Sequence, residues 1–365
     1  MSRTLFYNLI RTSLTESGAD YIANVRQRLG SATEFEWERS LADLKLHRLL
    51  PFVWYGLKMH NLIDTIPHDY FLAEMRDSYQ ATLIKNIYFL QTLEKIAKVM
   101  QEYDVHPVVW KGILLIDSFY PDPGMRSMWD IDFAISSEEI EQTTTAFKSL
   151  GFVEQADMRT SDAIYFVNQM MVPCDVHHRV RLFEDKKSIN LTVELKPERT
   201  KAPTLTVLEP NAMLVHLVVH MNGHYYEMGP MLSWILDLVF LLRKWGDLID
   251  LKRLEELMPA QEHFASLFRT LRFLESELGE KLPKCLTEAA KSFEPLTLEE
   301  ILRQRRLAVW GLPSPRGWLR LAACRLGWRP TRSRSYPHWS DLLTWPTDIA
   351  RNKRMGISLG KKYDY

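Results

Sequence analysis

Between Tyr70 and Tyr103 the residues Leu72, Met75, Tyr79, Leu83, Ile87, Leu90, Leu93, Ile96 and Met100 recur at spacings of three and four. That period gives a helix one apolar face, which must lie on a core. Directly afterwards the period changes. The run VHPVVW (105–110) is short and β-branched, and WDIDFAI (129–135) alternates apolar and polar positions. Both are strand patterns. A chain that passes from a helical period to a strand period and back is restricted to a mixed architecture.

Residues 1–104 read as helical, with Pro51 at a helix start or break before PFVWYGLKMH. Within the strand region, KGILLIDSF (111–119) reads as a helix and PDPG (121–124) as a turn. Ser136 or Ser137 can cap the helix that follows, and Gly151 is placed to end it. AIYFVN (163–168) and MVPCDVHHRV (171–180) have the look of a hairpin. Helical spacing returns after about residue 208, in segments such as EPNAMLVHLVVHMNGH and GPMLSWILDLVFLLRKW. The expected fold is α+β: a small mixed sheet core over 105–208, helical regions over 1–104 and 209–310, and a basic tail rich in Trp and Arg over 311–365.

Apolar residues make up 46% of the 365-residue chain, enough for a sizeable core and against global disorder. Lys and Arg balance Asp and Glu at 46 each, so net charge names no partner. The distribution is uneven. Residues 301–365 hold 14 Lys/Arg against 3 Asp/Glu, so the tail is basic and the body before it acidic. Such a tail suits an anionic partner, or equally docking on its own acidic body. Cys174, Cys285 and Cys324 lie far apart and form no CxxC pair, which fits a reducing compartment. The first residues lack a secretory apolar run, and no stretch reaches the roughly 18 apolar residues of a membrane span. The expected location is cytoplasmic.

Asp130 and Asp132 carry the chemistry. At i and i+2 on a strand they project to one face, close enough to share a divalent ion. Magnesium favours carboxylate oxygens combined with substrate phosphates. Asp175, in the strand-like run CDVHH, is the candidate third carboxylate, for a second ion or for deprotonating an attacking hydroxyl. An Asp-x-Asp pair alone also occurs in glycosyltransferases and at solvated strand ends.

The pieces in combination say more. A strand is followed by Lys111-Gly112, then Tyr120-Pro121, then Arg126-x-x-x-Asp130-x-Asp132, then Asp175-x-His177, with a histidine-bearing helix LVHLVVHMNGH beyond. This series resembles the family of uncharacterised nucleotidyltransferases within the polymerase-β-like superfamily, over roughly residues 100–245. The resemblance implies a nucleotidyltransferase core. Asp130, Asp132 and Asp175 would hold two magnesium ions against a nucleoside triphosphate such as ATP. Lys111, Gly112, Arg126, His177, His220 and His224 would contact substrate or its phosphates. Better-known superfamily members place a Gly-Ser or Gly-Gly pair shortly before the acidic pair. Here Lys111-Gly112 takes that place, and Asp130 follows Gly112 by 18 positions. The acceptor of the nucleotide stays open: a small molecule or biosynthetic peptide, or a tRNA or protein as in toxin-like and regulatory enzymes. A non-catalytic nucleotide-binding module is the third reading.

Several side chains also have plain structural readings. Lys111 and Arg126 could simply pair with the carboxylates. His216, His220 and His224 drift about 40° per step and so line one helix face, as a cleft lining or as packed histidines. No acidic or thiolate set accompanies them, which disfavours zinc. Asp237 is the one charge within WILDLVF, expected to pair with one of those histidines or to reach the cleft. Trp310, Trp318, Trp328, Trp339 and Trp345 alternate with arginines, a composition used for nucleic acid, for membrane surfaces and for ordinary packing.

Overall fold

A computed structural model of the chain describes residues 2–14, 19–180, 191–258 and 260–309. The tail from 310 onward, with its tryptophans and with Arg329, Arg332, Arg334, Arg351 and Arg354, lies outside the described residues.

Five helices come first: α1 (Ser2–Leu14), α2 (Ala19–Gly30), α3 (Glu34–Leu46), α4 (Leu50–Met59) and α5 (Asp69–Glu102). Thr33 and Glu36 form a reciprocal capping box that starts α3, and Pro51 sits in the first turn of α4, where its missing N–H costs nothing. The 34-residue α5 is the helix expected from the apolar stripe, and Met75, Leu90, Leu93, Ile96 and Met100 are buried along it.

The mixed region follows as β1 (Val108–Val109), α6 (Lys111–Ser118), β2 (Ile131–Ala134), α7 (Ile140–Ser149), β3 (Val153–Glu154), β4 (Ala163–Val167), β5 (Pro173–His177), β6 (Thr192–Leu195) and β7 (Leu205–Leu208). Ser136 is the capping serine, paired reciprocally with Glu139, and Gly151 closes α7 in the left-handed region at φ 79°. The strands form one mixed sheet in the order β3-β4-β5-β2-β1-β7-β6. β4 and β5 are the expected antiparallel hairpin, while β2 pairs with β5 in parallel and with β1 antiparallel. The α+β expectation holds, with helical regions at both ends.

The C-terminal helices are α8 (Pro210–Met228), α9 (Leu232–Trp245), α10 (Leu251–Leu257), α11 (Gln261–Ser276), α12 (Lys284–Ala290) and α13 (Leu298–Val309). Helix α9 is buried nearly all round, as its almost unbroken apolar sequence requires. One continuous cluster of buried apolar side chains runs from Leu5 to Leu302 and joins both helical regions to the sheet. None of the described helices is long and apolar enough to cross a membrane.

Candidate active site at the carboxylates of β2 and β5

Strand β2 lies in the middle of the sheet, and every residue in it is buried. In β5 burial alternates: Cys174 and Val176 point into the core, while Asp175 and His177 stay half-buried on the other face. The parallel register sets Asp132 opposite Asp175. Ligand atoms of Asp132, Asp175 and His177 all lie within 4.8 Å of one another. Asp130 immediately precedes β2 and is not among the side chains that meet at that distance.

Two cations stand among these acids. Lys111 Nζ donates to Asp132 Oδ1 at 2.9 Å. His177 Nε2 lies 3.6 Å from Asp132 Oδ1 and 3.4 Å from Asp175 Oδ2, without hydrogen-bond geometry to either. Burial opposes ionisation of Asp132, but Lys111 and His177 outweigh it and hold the carboxyl well below the usual carboxylate range. Burial, reinforced by the charge of Asp132, pushes Asp130 up to about 7. Burial would lower the pKa of His177, yet Asp132 and Asp175 raise it to about 9. Lys111 follows the same pattern: burial is the largest single influence and pulls down, but Asp132, Asp130 and Asp175 together outweigh it and the ammonium stays charged.

The backbone at Lys111 is unusual. It holds φ 52°, a left-handed conformation that costs a non-glycine residue on the order of 1 kcal/mol or more. Lys111 opens α6, whose N-cap, Trp110, supplies no side-chain hydrogen bond, so no side-chain cap covers the first-turn N–H groups. Gly112 is needed for a different reason. A Cβ there would stand 2.7 Å from Nη1 of Arg126, a guanidinium that cannot give way. Its Nε and Nη2 donate to the two oxygens of Asp237 at 2.7 and 2.8 Å, and Tyr120 Oη donates to the same carboxylate at 2.7 Å. The expectation that Asp237 pairs with a histidine or reaches the cleft is thus corrected. Its partners are Arg126 and Tyr120, because Asp237 itself is buried in α9 and must meet its counter-ion inside the protein.

These contacts organise the long spacer between Gly112 and Asp130. Asn86 of α5, fully buried, donates from Nδ2 to the carbonyls of Pro123 and Arg126 at 2.5 and 2.7 Å. Tyr79 of α5 donates to Asp122 Oδ1 at 2.9 Å, and that oxygen also accepts from Gly124 N–H. The spacer is therefore fastened to α5 on one side and to α9 on the other just before it delivers Asp130.

A cleft of ≈ 530 Å³ opens on the half-buried face, and Lys111, Tyr165, Asp175, His177, His216 and His220 are among its lining. Trp110 forms its floor: its ring stacks on His216 at 4.8 Å and meets His177 edge-on at 5.5 Å. Trp110 Nε1 and His216 Nε2 are buried without a hydrogen-bond partner. His216 and His220 are both held neutral, chiefly by burial and then by the charge of Lys111, and burial drives His220 down to about 3. His224 is not in this lining and packs instead against His220 and Trp234.

The sheet thus brings together Lys111, Asp132, Asp175 and His177, with His220 on the cleft wall. Asp130 flanks them, Gly112 and Arg126 support them from behind, and His224 stands away. Sequence reasoning passed over Trp110 and Tyr165. The only signals for them were their places beside Lys111 and within the β4 strand pattern.

The donor set suits a divalent ion. Two carboxylates in register on adjacent strands are the oxygen ligands magnesium accepts. Asp132 and Asp175 would hold the ion, which would offset the charge of a triphosphate and of the transition state.

This geometry agrees with the relationship the chain has to known proteins. Residues 33–279 match the family model described as uncharacterised nucleotidyltransferase, and the chain belongs to that family. It is accordingly an enzyme of the nucleotidyltransferase class. No curated protein matches it. Among solved structures it is similar to the antibiotic-resistance factor ANT(2'')-Ia, at 11% identity and a TM-score of 0.37, covering 50% of this chain and 96% of that one. It is also similar to an antigenic nucleotidyltransferase-like protein from Paracoccidioides brasiliensis, at 16% identity and a TM-score of 0.34, covering 53% of this chain and 93% of that one.

Proposed function

We propose that the protein transfers a nucleoside monophosphate from a magnesium-bound nucleoside triphosphate to an acceptor hydroxyl or phosphate. The acceptor oxygen bonds to the α-phosphorus, the bond to the β-phosphate bridge breaks, and pyrophosphate leaves. The observation that carries this reading is the shared register of Asp132 and Asp175, with Lys111 bonded to Asp132 at the edge of one cleft.

Asp132, kept ionised by Lys111, is the permanent ligand of the metal. Asp175, on the open side, shares an ion or takes the proton of the attacking hydroxyl, and Asp130 completes the acidic set for a second ion. Lys111 and the N–H groups at the start of α6 receive the phosphates. Trp110, His216 and His220 present an aromatic wall and orphaned nitrogens to the rest of the substrate. The acceptor in this reading is a small molecule or a biosynthetic peptide, and the reaction runs in the cytoplasm.

The test is release of pyrophosphate from each of the four common ribonucleoside triphosphates, with magnesium and with fractionated small molecules, peptides or tRNA as acceptors. Release with one triphosphate, lost in Asp132→Asn and Asp175→Asn, is expected. Stimulation by tRNA or protein alone would move the acceptor to that class. Binding of nucleotide without release in any mixture would make the protein a nucleotide-binding module.

A further inference from the structure

Strand β5 puts Asp175 and His177 on one face, two residues apart, and the parallel register sets Asp132 of β2 beside them. One carboxylate oxygen from each aspartate and one imidazole nitrogen lie within 4.8 Å of one another. His177 Nε2 is 3.4 Å from Asp175 Oδ2 and 3.6 Å from Asp132 Oδ1. These are attractions of charge, yet they are longer than an ordinary N–H···O bond, and no hydrogen bond joins Nε2 to either oxygen.

The separations suit ligands that share an ion. An ion about 2.1 Å from each of its ligands holds neighbouring ligand atoms about 3.0 Å apart in an octahedron and about 3.4 Å apart in a tetrahedron. Distances of 3.4 and 3.6 Å need little closure to meet either shape. The imidazole is also placed in advance. The ring of Trp110 packs edge-on against it at 5.5 Å, and Ile135 N–H donates to the His177 carbonyl at 2.9 Å, which ties the end of β5 to β2. Asp130 does not belong to this converging group, so the third donor beside Asp132 and Asp175 is a nitrogen and not a third carboxylate. Nitrogen changes the preference of the position. Magnesium keeps to oxygen ligands, whereas imidazole suits the ions of the first transition series.

We propose that His177 is the third protein ligand of the ion held by Asp132 and Asp175, and that this position takes a divalent ion of the first transition series in preference to Mg²⁺. His177 releases its proton to solvent as the ion enters, because only the neutral imidazole ligates. Asp175 and His177 both line the ≈ 530 Å³ cleft, so the ion is within reach of a substrate there. That an ion sits at Asp132 and Asp175 rests on the nucleotidyl-transfer reading above. The nitrogen ligand rests on the geometry of His177.

Electron spin echo spectroscopy of Mn²⁺ bound to the full chain, without nucleotide, tests the ligand directly, since a coordinated imidazole nitrogen modulates the echo. Nitrogen modulation is expected in wild type and in His220→Gln, and is expected to vanish in His177→Gln. In titrations of the same proteins, His177→Gln should weaken Mn²⁺ by about tenfold or more and leave Mg²⁺ unweakened. Melting temperatures close to wild type show that the variants fold. Bound Mn²⁺ without nitrogen modulation in wild type would overturn the proposal. So would tighter Mn²⁺ binding in His177→Gln, which would make His177 only a counter-ion of the two acids, or an equal loss of Mn²⁺ and Mg²⁺. Failure of the nucleotidyl-transfer reading shows elsewhere. If Asp175→Asn binds Mn²⁺ as well as wild type does, the ion is not held at Asp132 and Asp175 at all, and the role of His177 falls with it. Loss in Asp175→Asn with no nitrogen modulation in wild type would remove the His177 assignment alone.

Discussion

Asp132 and Asp175 occupy the same register of the parallel β2–β5 pair, and Lys111 donates to the first but not to the second. The two carboxylates that flank β2's start thus have opposite electrostatic positions. Asp132 is buried with two cations on it, whereas Asp130 is pushed up to about 7 by burial and by Asp132 itself.

In metal-free buffer the two asparagine variants should therefore behave differently. Asp130→Asn relieves repulsion and should raise stability by about 0.5–2 kcal/mol. Asp132→Asn leaves the buried Lys111 ammonium uncompensated and should lower it by about 3 kcal/mol or more. Both should abolish transfer. Denaturant unfolding at neutral pH reads the difference, and equal shifts for the two would contradict the charge assignment.

Asp237→Ala removes both acceptors of Arg126 Nε and Nη2 and the acceptor of Tyr120 Oη. A buried guanidinium without its carboxylate should cost about 3–5 kcal/mol. The spacer that delivers Asp130 should loosen with it, visible as faster amide exchange over residues 121–128. A stability change below about 1 kcal/mol would show that the pair is not the anchor described.

Gly112→Ala should be harmful for a steric reason alone. The added methyl meets Arg126 Nη1 at 2.7 Å, and Asp237 holds that guanidinium in place. Overpacking of this kind costs about 1–3 kcal/mol. The double variant Gly112→Ala/Arg126→Lys should lose less than the sum of the single changes, as measured by a double-mutant cycle of unfolding. Strict additivity would deny the contact.

Acid sensitivity should come in part from His47. Its Nδ1 accepts from Leu232 N–H at 3.2 Å, and burial, with the charges of Arg305 and Arg306, pushes its pKa from 6.5 to about 3. The unfolded chain takes up a proton below 6.5 that the folded chain refuses until about 3. Stability from this group is full above 6.5 and is lost as the pH falls through that window, by up to about 1.4 kcal/mol per pH unit. Between pH 7 and 5 the wild type should lose about 2 kcal/mol more than His47→Gln. Parallel pH profiles would argue that His47 is already charged in the fold.

Much of this was legible from residue spacing. The stripe from Leu72 to Met100 announces α5, and the alternation around Asp132 and in CDVHH places those carboxylates on strand faces. What spacing cannot carry is pairing at a distance. The parallel register that sets Asp132 opposite Asp175 joins residues 43 apart, and Arg126 meets Asp237 across 111. Asp237 could be seen as a lone charge on an apolar helix, but its partner was set by how α9 packs on the spacer. Strand β6 does leave a pattern, since Leu191 to Lys196 alternate apolar and polar residues, but no strand was read from it; β7, Leu205–Leu208, has only one polar residue and no such alternation.

The central claim is that Asp132 and Asp175 jointly hold the metal of a metal–triphosphate complex. Its most direct test is electron paramagnetic resonance of Mn²⁺ titrated into the protein with each nucleoside triphosphate, for wild type and for Asp132→Ala, Asp175→Ala and the double variant. The account predicts a protein-bound Mn²⁺–triphosphate signal in wild type, weakened in each single variant and absent in the double. Undiminished binding in the double variant, with the fold intact by circular dichroism, would contradict it.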